Sequence, residues 1–386
     1  MTPGARVAAA IEILDAIGEG QPAEKALSRW ARASRFAGSK DRAAVRDHVF
    51  DVLRNWRSDA ARGGAETGRG RMIGRLRDQC IDPDQLLNGQ GHAPAPLSDL
   101  EREDSDQVMP RGVAWDLPDW LMPIFEASLC EDAERSAHAL KERAPVTLRA
   151  NISKTTVPDA QKALERDGVV TMINPRAETA LTVVDGARRV RNATAYHDGL
   201  VDIQDGSSQA AVAGLGVPGR ALDMCAGGGG KALAMAALGW NVTASDIDAA
   251  RMIDLPTRAA RGGHDIMICS PERLVSHGPF DLVFVDAPCS GSGTWRRTPE
   301  AKWALTRDRL EELMRIQRQV LTQAATLVVP GGTLVYATCS VLREENEEQV
   351  QNFTAEAFGF QAGATQRWAV DDWGDGFFSA HLTRTG

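Results

Sequence analysis

The apolar positions of the chain change their period once, near residue 140. Before that point the spacing is helical. Val7, Ile11, Leu14 and Ile17 recur every three or four residues, as on one face of an α-helix. Val45, Val49, Val52 and Leu53 form a second such face, and Ser39 stands where its N-cap is expected. The pattern predicts a small all-helical domain of about four or five helices over residues 1–80. Residues 81–140 are expected to form an acidic, proline-containing linker with a helix from Pro118 to about Leu129. Pro83, Pro94, Pro96, Pro110 and Pro118 punctuate this stretch, and an acidic run covers Asp99–Asp106.

Beyond Val146 strands begin. VTLRANI alternates, and a helix in DAQKALERDG precedes strands around ALTVV and DGLVDIQD. Residues 141–217 thus read as a small α+β unit. Over 218–386, the segments RALDMCA, NVTASD, HDIMIC, FDLVFVDAP and GTLVYATCS are short and apolar, with helices between most of them. The longest helix is expected from about Arg307 to Val328. This pattern predicts an α/β fold, a Rossmann-like doubly wound parallel sheet covered on both faces. Ligands of such sheets bind beyond the C-terminal strand ends.

Composition excludes several classes. The 386 residues are 43% hydrophobic and 25% charged, as in a globular protein. No apolar run approaches the roughly 18–20 residues of a bilayer span, and the N-terminus lacks a signal-peptide pattern. Neither membrane insertion nor secretion is expected. The six cysteines form no CxxC pair, so no metal is expected, and free thiols fit a reducing cytoplasm. The net charge is −8, but residues 1–80 carry fifteen Lys/Arg against ten Asp/Glu, and 81–140 three against thirteen. The basic start could meet phosphates or simply be a solvated helical surface.

The first of these strands runs into Cys225-Ala226-Gly227-Gly228-Gly229-Gly230-Lys231 ahead of an apolar helix. A glycine turn at a helix start offers backbone N–H groups to an anion. A nucleoside triphosphate would want GxxxxGK[ST], but Cys225 and Ala232 break that pattern. A nicotinamide dinucleotide matches formally, through Gly227, Gly229 and Ala232, with no hydride-transfer groups nearby. S-adenosylmethionine can use the same N–H groups for its carboxylate and Asp246, ending NVTASD, for its ribose. The glycine loop alone does not choose.

Two cysteines do. Asp286-Ala287-Pro288-Cys289-Ser290-Gly291-Ser292-Gly293 and Thr338-Cys339-Ser340 each close a strand. In a sheet ordered 3-2-1-4-5 these strands are neighbours, so two thiols 50 positions apart in sequence can meet one substrate. Methylation at C5 of cytosine needs such chemistry. A thiolate adding at C6 makes C5 nucleophilic, an acid near N3 supports the ring, and elimination follows proton loss from C5. A lone cysteine would more simply be a small buried apolar residue.

These motifs resemble the RsmB/Nop/Sun family of RNA 5-methylcytosine methyltransferases over roughly residues 145–386. DMCAGGGGK is similar to the family's donor loop, usually nearer DxCAAPGGK. DAPCSGSGT and LVYATCSVLREENE resemble its two cysteine motifs, VDIQDGSSQ the segment before the donor loop, and DGFFSAHLTR its last strand. FAGSKDRAAVRDHVFDVLR resembles the NusB-like domain of RsmB proteins. The resemblance implies Cys339 as nucleophile, Cys289 as the group assisting release, and Asp286 against the cytosine and the donor. Residues Cys225 through Lys231 would line the S-adenosylmethionine pocket, and Asp246 would hold the ribose. The proline-cysteine motif of DNA cytosine-5 methyltransferases would instead make Cys289 the nucleophile; the TCS motif moves the role to Cys339. Arg296, Arg297 and Lys302 are expected RNA contacts, flanked by Trp295 and Trp303, with Arg149 and Lys154 as weaker candidates. The alternative is that Trp303 packs in the core and the arginines pair with acids. Cys269 and Ser270 stand where the family often has an adenine-contacting acid.

The expected function is methyl transfer to C5 of an RNA cytosine, in ribosomal RNA before transfer RNA, by a cytoplasmic monomer. An RNA-binding or assembly protein with a degenerate donor pocket is the alternative from another class.

Overall fold

The computed structural model describes residues 1–103, 108–356 and 359–385; the end of the acidic run, 104–106, lies outside them. The chain forms two compact units. The first comprises Met1–Glu126, Ala133–Arg143 and Trp295–Ala304, the second Ala127–Asp132, Ala144–Thr294 and Leu305–Gly386.

The first unit is built on five helices: α1 (Pro3–Gly18), α2 (Ala23–Ala33), α3 (Ser39–Arg54), α4 (Trp56–Gly63) and α5 (Gly68–Asp78). Val7 and Leu14 of α1 join Val45, Val49, Val52 and Leu53 of α3 in one buried core. Ser39 does not cap α3. It is the first helical residue and Gly38 is the cap, because Asp41 reaches back to accept from the Gly38 N–H at 3.2 Å and leaves no task for a serine side chain. Helices α4 and α5 touch backbone to backbone. A Cβ on Gly74 would lie 1.9 Å from the Asp59 carbonyl oxygen, a distance no packing adjustment of side chains relieves.

Trp295–Ala304 lies within the range read from sequence as the Rossmann-like domain, yet it belongs to this helical unit. The Trp303 Nε1 donates to the Leu53 carbonyl at 2.8 Å, and Arg54 Nε donates to the Arg296 carbonyl at 2.6 Å.

The second unit holds two sheets. The smaller is β1 (Thr147–Ala150), β2 (Val170–Ile173), β3 (Ala180–Asp185) and β4 (Val201–Ile203), antiparallel in the order β2-β3-β1-β4. Leu148, Leu181 and Val201 meet the helix Val157–Arg166 through Ala160 and Leu164 in its core. The larger sheet has seven strands: β5 (Arg220–Asp223), β6 (Asn241–Ala244), β7 (Met267–Ile268), β8 (Phe280–Asp286), β9 (Val328–Thr338), β10 (Phe360–Trp368) and β11 (Phe377–Arg384). Their order is β10-β11-β9-β8-β5-β6-β7. The first five in sequence are parallel and ordered 3-2-1-4-5, as expected. The sheet is not wholly parallel, because β11 pairs antiparallel with β9 and with β10.

Period-two alternation divides the core between the two sheet faces. Leu282, Phe284, Val335 and Ala337 pack on one side, and Val283, Val285, Leu334 and Tyr336 on the other, under the helix Arg307–Thr326. Among the described residues no helix is long and apolar enough to cross a membrane.

Gly74→Ala is predicted to lower the unfolding free energy by about 1–3 kcal/mol or more. Urea denaturation followed by circular dichroism measures the loss, and an unchanged midpoint would contradict the close α4–α5 contact.

Candidate active site

Parallel strands β8 and β9 are hydrogen-bonded neighbours, with Asp286 opposite Ala337. Their C-terminal ends therefore open side by side. Pairing continues past the strands: the Ala287 N–H donates to the Ala337 carbonyl at 2.8 Å. Beyond it the Gly293 N–H donates to the Cys339 carbonyl at 2.9 Å, and the Gly376 N–H to the Gly293 carbonyl at 3.0 Å. Only glycine fits at 293, where a Cβ would stand 2.3 Å from the Gly376 carbonyl oxygen.

The result is that the Cys289 and Cys339 sulfurs lie 3.4 Å apart, each half-buried. Contact with Cys339 and burial both push the Cys289 thiol well above the usual cysteine range.

A buried carboxylate holds the two cysteine loops in register. Glu345 has no solvent exposure. One of its oxygens accepts from the Ser290 N–H at 2.8 Å and from Gln317 Nε2 at 3.0 Å. The other accepts from the Ser290 hydroxyl at 2.5 Å and the Ser340 hydroxyl at 2.6 Å. Ser290 follows Cys289 and Ser340 follows Cys339, so one side chain ties the two loops directly. Gln317 also donates to the Pro288 carbonyl at 2.9 Å, and the Ser292 and Ser340 hydroxyls meet at 2.9 Å. Burial raises the Glu345 pKa, and the serine and glutamine hydrogen bonds oppose the rise. The spacing of the motifs did not single out Glu345, Gln317 or the serines. The available signal was an acid and three hydroxyl residues clustered around two cysteines.

The donor loop follows β5. Gly227 and Gly229 have φ of +49° and +79°, a region glycine enters without strain. The helix Gly230–Ala237 starts directly behind them, and its first N–H groups have no acceptor within the helix. Asp246, 2% exposed at the end of β6, accepts from the Gly227 N–H at 2.9 Å and the Asp248 N–H at 3.0 Å. Arg251 pairs with it at 3.1 Å. Arg251 faces the remaining lone pairs of both oxygens, so a ribose hydroxyl would take its place there. Lys231 and Asp286 form an ion pair that joins the loop to the Cys289 strand. Burial alone would lower the Lys231 ammonium, but Asp286 more than reverses this and holds it above the usual lysine range. Cys225 is half-buried in the same loop, and burial pushes its thiol up. Backbone donors at a helix start, with a carboxylate at the next strand end, fit a nucleoside that carries an amino-acid carboxylate.

The outlying candidates fall differently. Cys269 is buried in the core beside Leu222 and Val283. Ser270 is exposed and hydrogen-bonds Glu272. Of the three expected RNA contacts only Arg297 is exposed. Arg296 is 2% and Lys302 1% exposed. Lys302 donates to the Arg54 carbonyl at 3.3 Å within the helical unit, and burial lowers its pKa to about 8. Trp295 is wholly buried. The charge of Arg296 and Lys302 is thus turned inward, which corrects their reading as substrate contacts. Arg149 is buried at 5% exposure, and Lys154 donates to the Arg261 carbonyl at 2.7 Å.

The sheet order, the glycine turn after its first strand and the acid after its second define a class I, S-adenosylmethionine-dependent methyltransferase. The family model described as 16S rRNA methyltransferase RsmB/F matches residues 218–383, and that of the RsmF/B-like ferredoxin-like domain matches 117–190. The chain is 33% identical over 287 residues to ribosomal RNA small subunit methyltransferase B of Cronobacter sakazakii, covering 70% of this chain and 67% of that one. It is 32% identical over 286 residues to the protein of the same name from Klebsiella pneumoniae strain 342, covering 69% and 66%. The chain belongs to the RsmB/F methyltransferase family, and it spans about two thirds of the length of these relatives. The crystal structure of PH0851 shares the fold, with TM-score 0.74 and 23% identity over 99% of both chains. So does NSun6 from Pyrococcus horikoshii with SFG, with TM-score 0.62 and 18% identity over 70% of this chain and 99% of that one.

Two predictions follow from the buried carboxyls. Glu345→Ala leaves four donors without their acceptor and is expected to cost about 2–4 kcal/mol of stability, read by urea denaturation; a loss below about 0.5 kcal/mol, the size of a surface substitution's effect, would contradict the clamp. Asp223 is fully buried at the end of β5, and burial raises its carboxyl to about 7. The folded state then holds a proton that the unfolded chain releases near pH 4, so stability falls as pH rises from about 4 to 7. Asp223→Asn is expected to match the parent near pH 4 and to exceed it by roughly 1–3 kcal/mol at pH 8, measured by denaturation at both pH values.

Proposed function

We propose that the protein methylates C5 of a cytosine in small-subunit ribosomal RNA through a covalent cysteine–C6 adduct. The observation that carries this reading is the 3.4 Å contact between Cys289 and Cys339 beside the Lys231–Asp286 pair. Two thiols at one strand-end crevice serve pyrimidine addition and elimination, and no other chemistry weighed for this loop needs them. The names of the relatives, at about one-third identity, support ribosomal RNA as the substrate.

S-adenosylmethionine supplies the methyl group when bound. The glycine loop and Asp246 orient it, and the flipped cytosine enters between Asp286 and the sulfurs. Cys339 is the nucleophile: its sulfur bonds C6, and the ring takes a proton at N3 from the Asp286–Lys231 pair. C5 then takes the methyl carbon as its bond to the donor sulfonium breaks, the bonding pair staying on sulfur as a neutral thioether. A base at the crevice, water or a neighbouring side chain, takes the C5 proton; the C–H pair restores the C5–C6 double bond, the S–C6 pair returns to Cys339, and N3 gives its proton back to the Asp286–Lys231 pair. Cys289, its sulfur 3.4 Å from that of the nucleophile, assists release by relaying protons.

Cys339→Ala is expected to abolish both turnover and any RNA adduct. Cys289→Ala is expected to accumulate an adduct that runs as a shifted band on a denaturing gel. The opposite pattern would reverse the two roles. Bisulfite sequencing of RNA from cells with and without the gene identifies the cytosine; its loss from transfer RNA alone would overturn the ribosomal assignment.

A further inference from the structure

A second polar site lies in the same unit, where the small sheet meets the helix Leu255–Gly262. Asp202 of β4 pairs with Arg258 at 2.7 Å and Arg261 at 3.0 Å. Arg149 of β1 lies in the field of both Asp202 and Arg258. Two guanidinium groups thus bind one carboxylate and a third lies in its field. Arg149 is 5% exposed, and its Nε has no hydrogen-bond partner; neither does the buried Nε2 of His264. Both residues line a small cavity with Asn151 and Asp202. Excess positive charge in so buried a cluster is costly unless an anion completes it.

An opening for that anion adjoins the cluster. A groove of about 410 Å³ shares Asp202, Arg258 and Arg261 with the small cavity and is lined further by Arg191, Tyr196, Ile203, Asp254 and Thr257, so three guanidinium groups face two carboxylates in it. Arg191 is exposed at its outer edge, and Arg261 lies 4.0 Å over the Tyr196 ring. The segment Ala187–His197 carries Arg188, Arg189 and Arg191 and no acid. Arg258 also donates to the Gly228 carbonyl, which places the groove beside the donor loop.

We propose that this groove binds a phosphodiester of the substrate RNA next to the target nucleotide, with Arg258 and Arg261 as inner contacts and Arg191 as the outer one. The proposal rests on the RNA-methylating function above. Planar guanidinium groups grip phosphate oxygens in pairs, and such contacts set register without reading sequence. They supply the cationic surface that Arg296 and Lys302, turned inward, do not.

The test uses the full chain, an unmodified small-subunit ribosomal RNA transcript and fluorescence anisotropy over a range of salt. Arg191→Glu changes an exposed side chain, so folding is not at stake. It is expected to weaken RNA binding about tenfold and to reduce the slope of log affinity against log salt by about one. Arg191→Lys is expected to keep most of the affinity, and donor affinity by calorimetry to stay unchanged in both. An unaltered RNA affinity and salt slope in Arg191→Glu would overturn the proposal while leaving methylation by the parent intact. Inorganic phosphate that binds at micromolar concentration without competing with RNA would also overturn it, as a free-anion site. A parent protein that binds no RNA would sink the proposed function together with the groove.

Discussion

The geometry of the reactive crevice depends on one carboxylate with no water around it. An ionised side chain removed from solvent costs several kcal/mol unless donors replace its hydration. Glu345 finds its four donors on Ser290, Ser340 and Gln317, two of which are the residues next to the cysteines. Satisfying the carboxylate and spacing the sulfurs are therefore one constraint. A loop that drifted by an ångström would leave donors and acceptor alike unpaired, a penalty well above thermal energy. The 3.4 Å sulfur contact follows from that bookkeeping.

The sheet supplies the coarse placement on which this fine one acts. Parallel pairing puts the ends of β8 and β9 together, and the antiparallel β11 covers the far side of β9. Gly376, just before β11, then extends the chain of hydrogen bonds through Gly293 to Cys339. Charge is balanced across the same crevice. Asp223, Asp246 and Asp286 gather at three strand ends, and Lys231 and Arg251 answer them. Lys231 reaches across from the donor loop to the Cys289 strand, so the two halves of the proposed reaction share an ion pair.

The five parallel strands, the long helix and both cysteine motifs were legible because each rests on a local pattern. An apolar run with β-branched residues reads as a strand wherever it occurs, and two motifs closing neighbouring strands must meet. The strand β10 was not legible: its residues are mostly exposed, so burial leaves no alternation to detect. The cap of α3 was misplaced for a similar reason, since Asp41, three residues on, decides the matter. Glu345 looked like one acid in an acidic run. Its neighbours Glu344 and Glu347 do pair with arginines, and only the turn of the chain sends the middle one inward. Arg296 and Lys302 failed most plainly, whereas Arg297 beside them is exposed. An arginine or lysine in sequence carries no mark of which way it faces, and Trp303, bound to the Leu53 carbonyl, draws this stretch into the helical core.

The donor loop shows how a local loss is made good by distant packing. In the pattern DxCAAPGGK a proline stiffens the turn by fixing its own φ. Here Gly227 and Gly228 hold the Ala-Pro positions, and a glycine pair admits far more unfolded conformations. The loop is held from outside instead. Asp246 takes the Gly227 N–H, Arg251 lies within 3.1 Å of where a Gly227 side chain would start, and Arg258 takes the Gly228 carbonyl. Arg258 is itself fixed by Asp202 on the small sheet. Order in the donor loop therefore passes through an ion pair with the α+β unit. Whatever alters the charge around Asp202 acts on the same guanidinium that supports the donor loop.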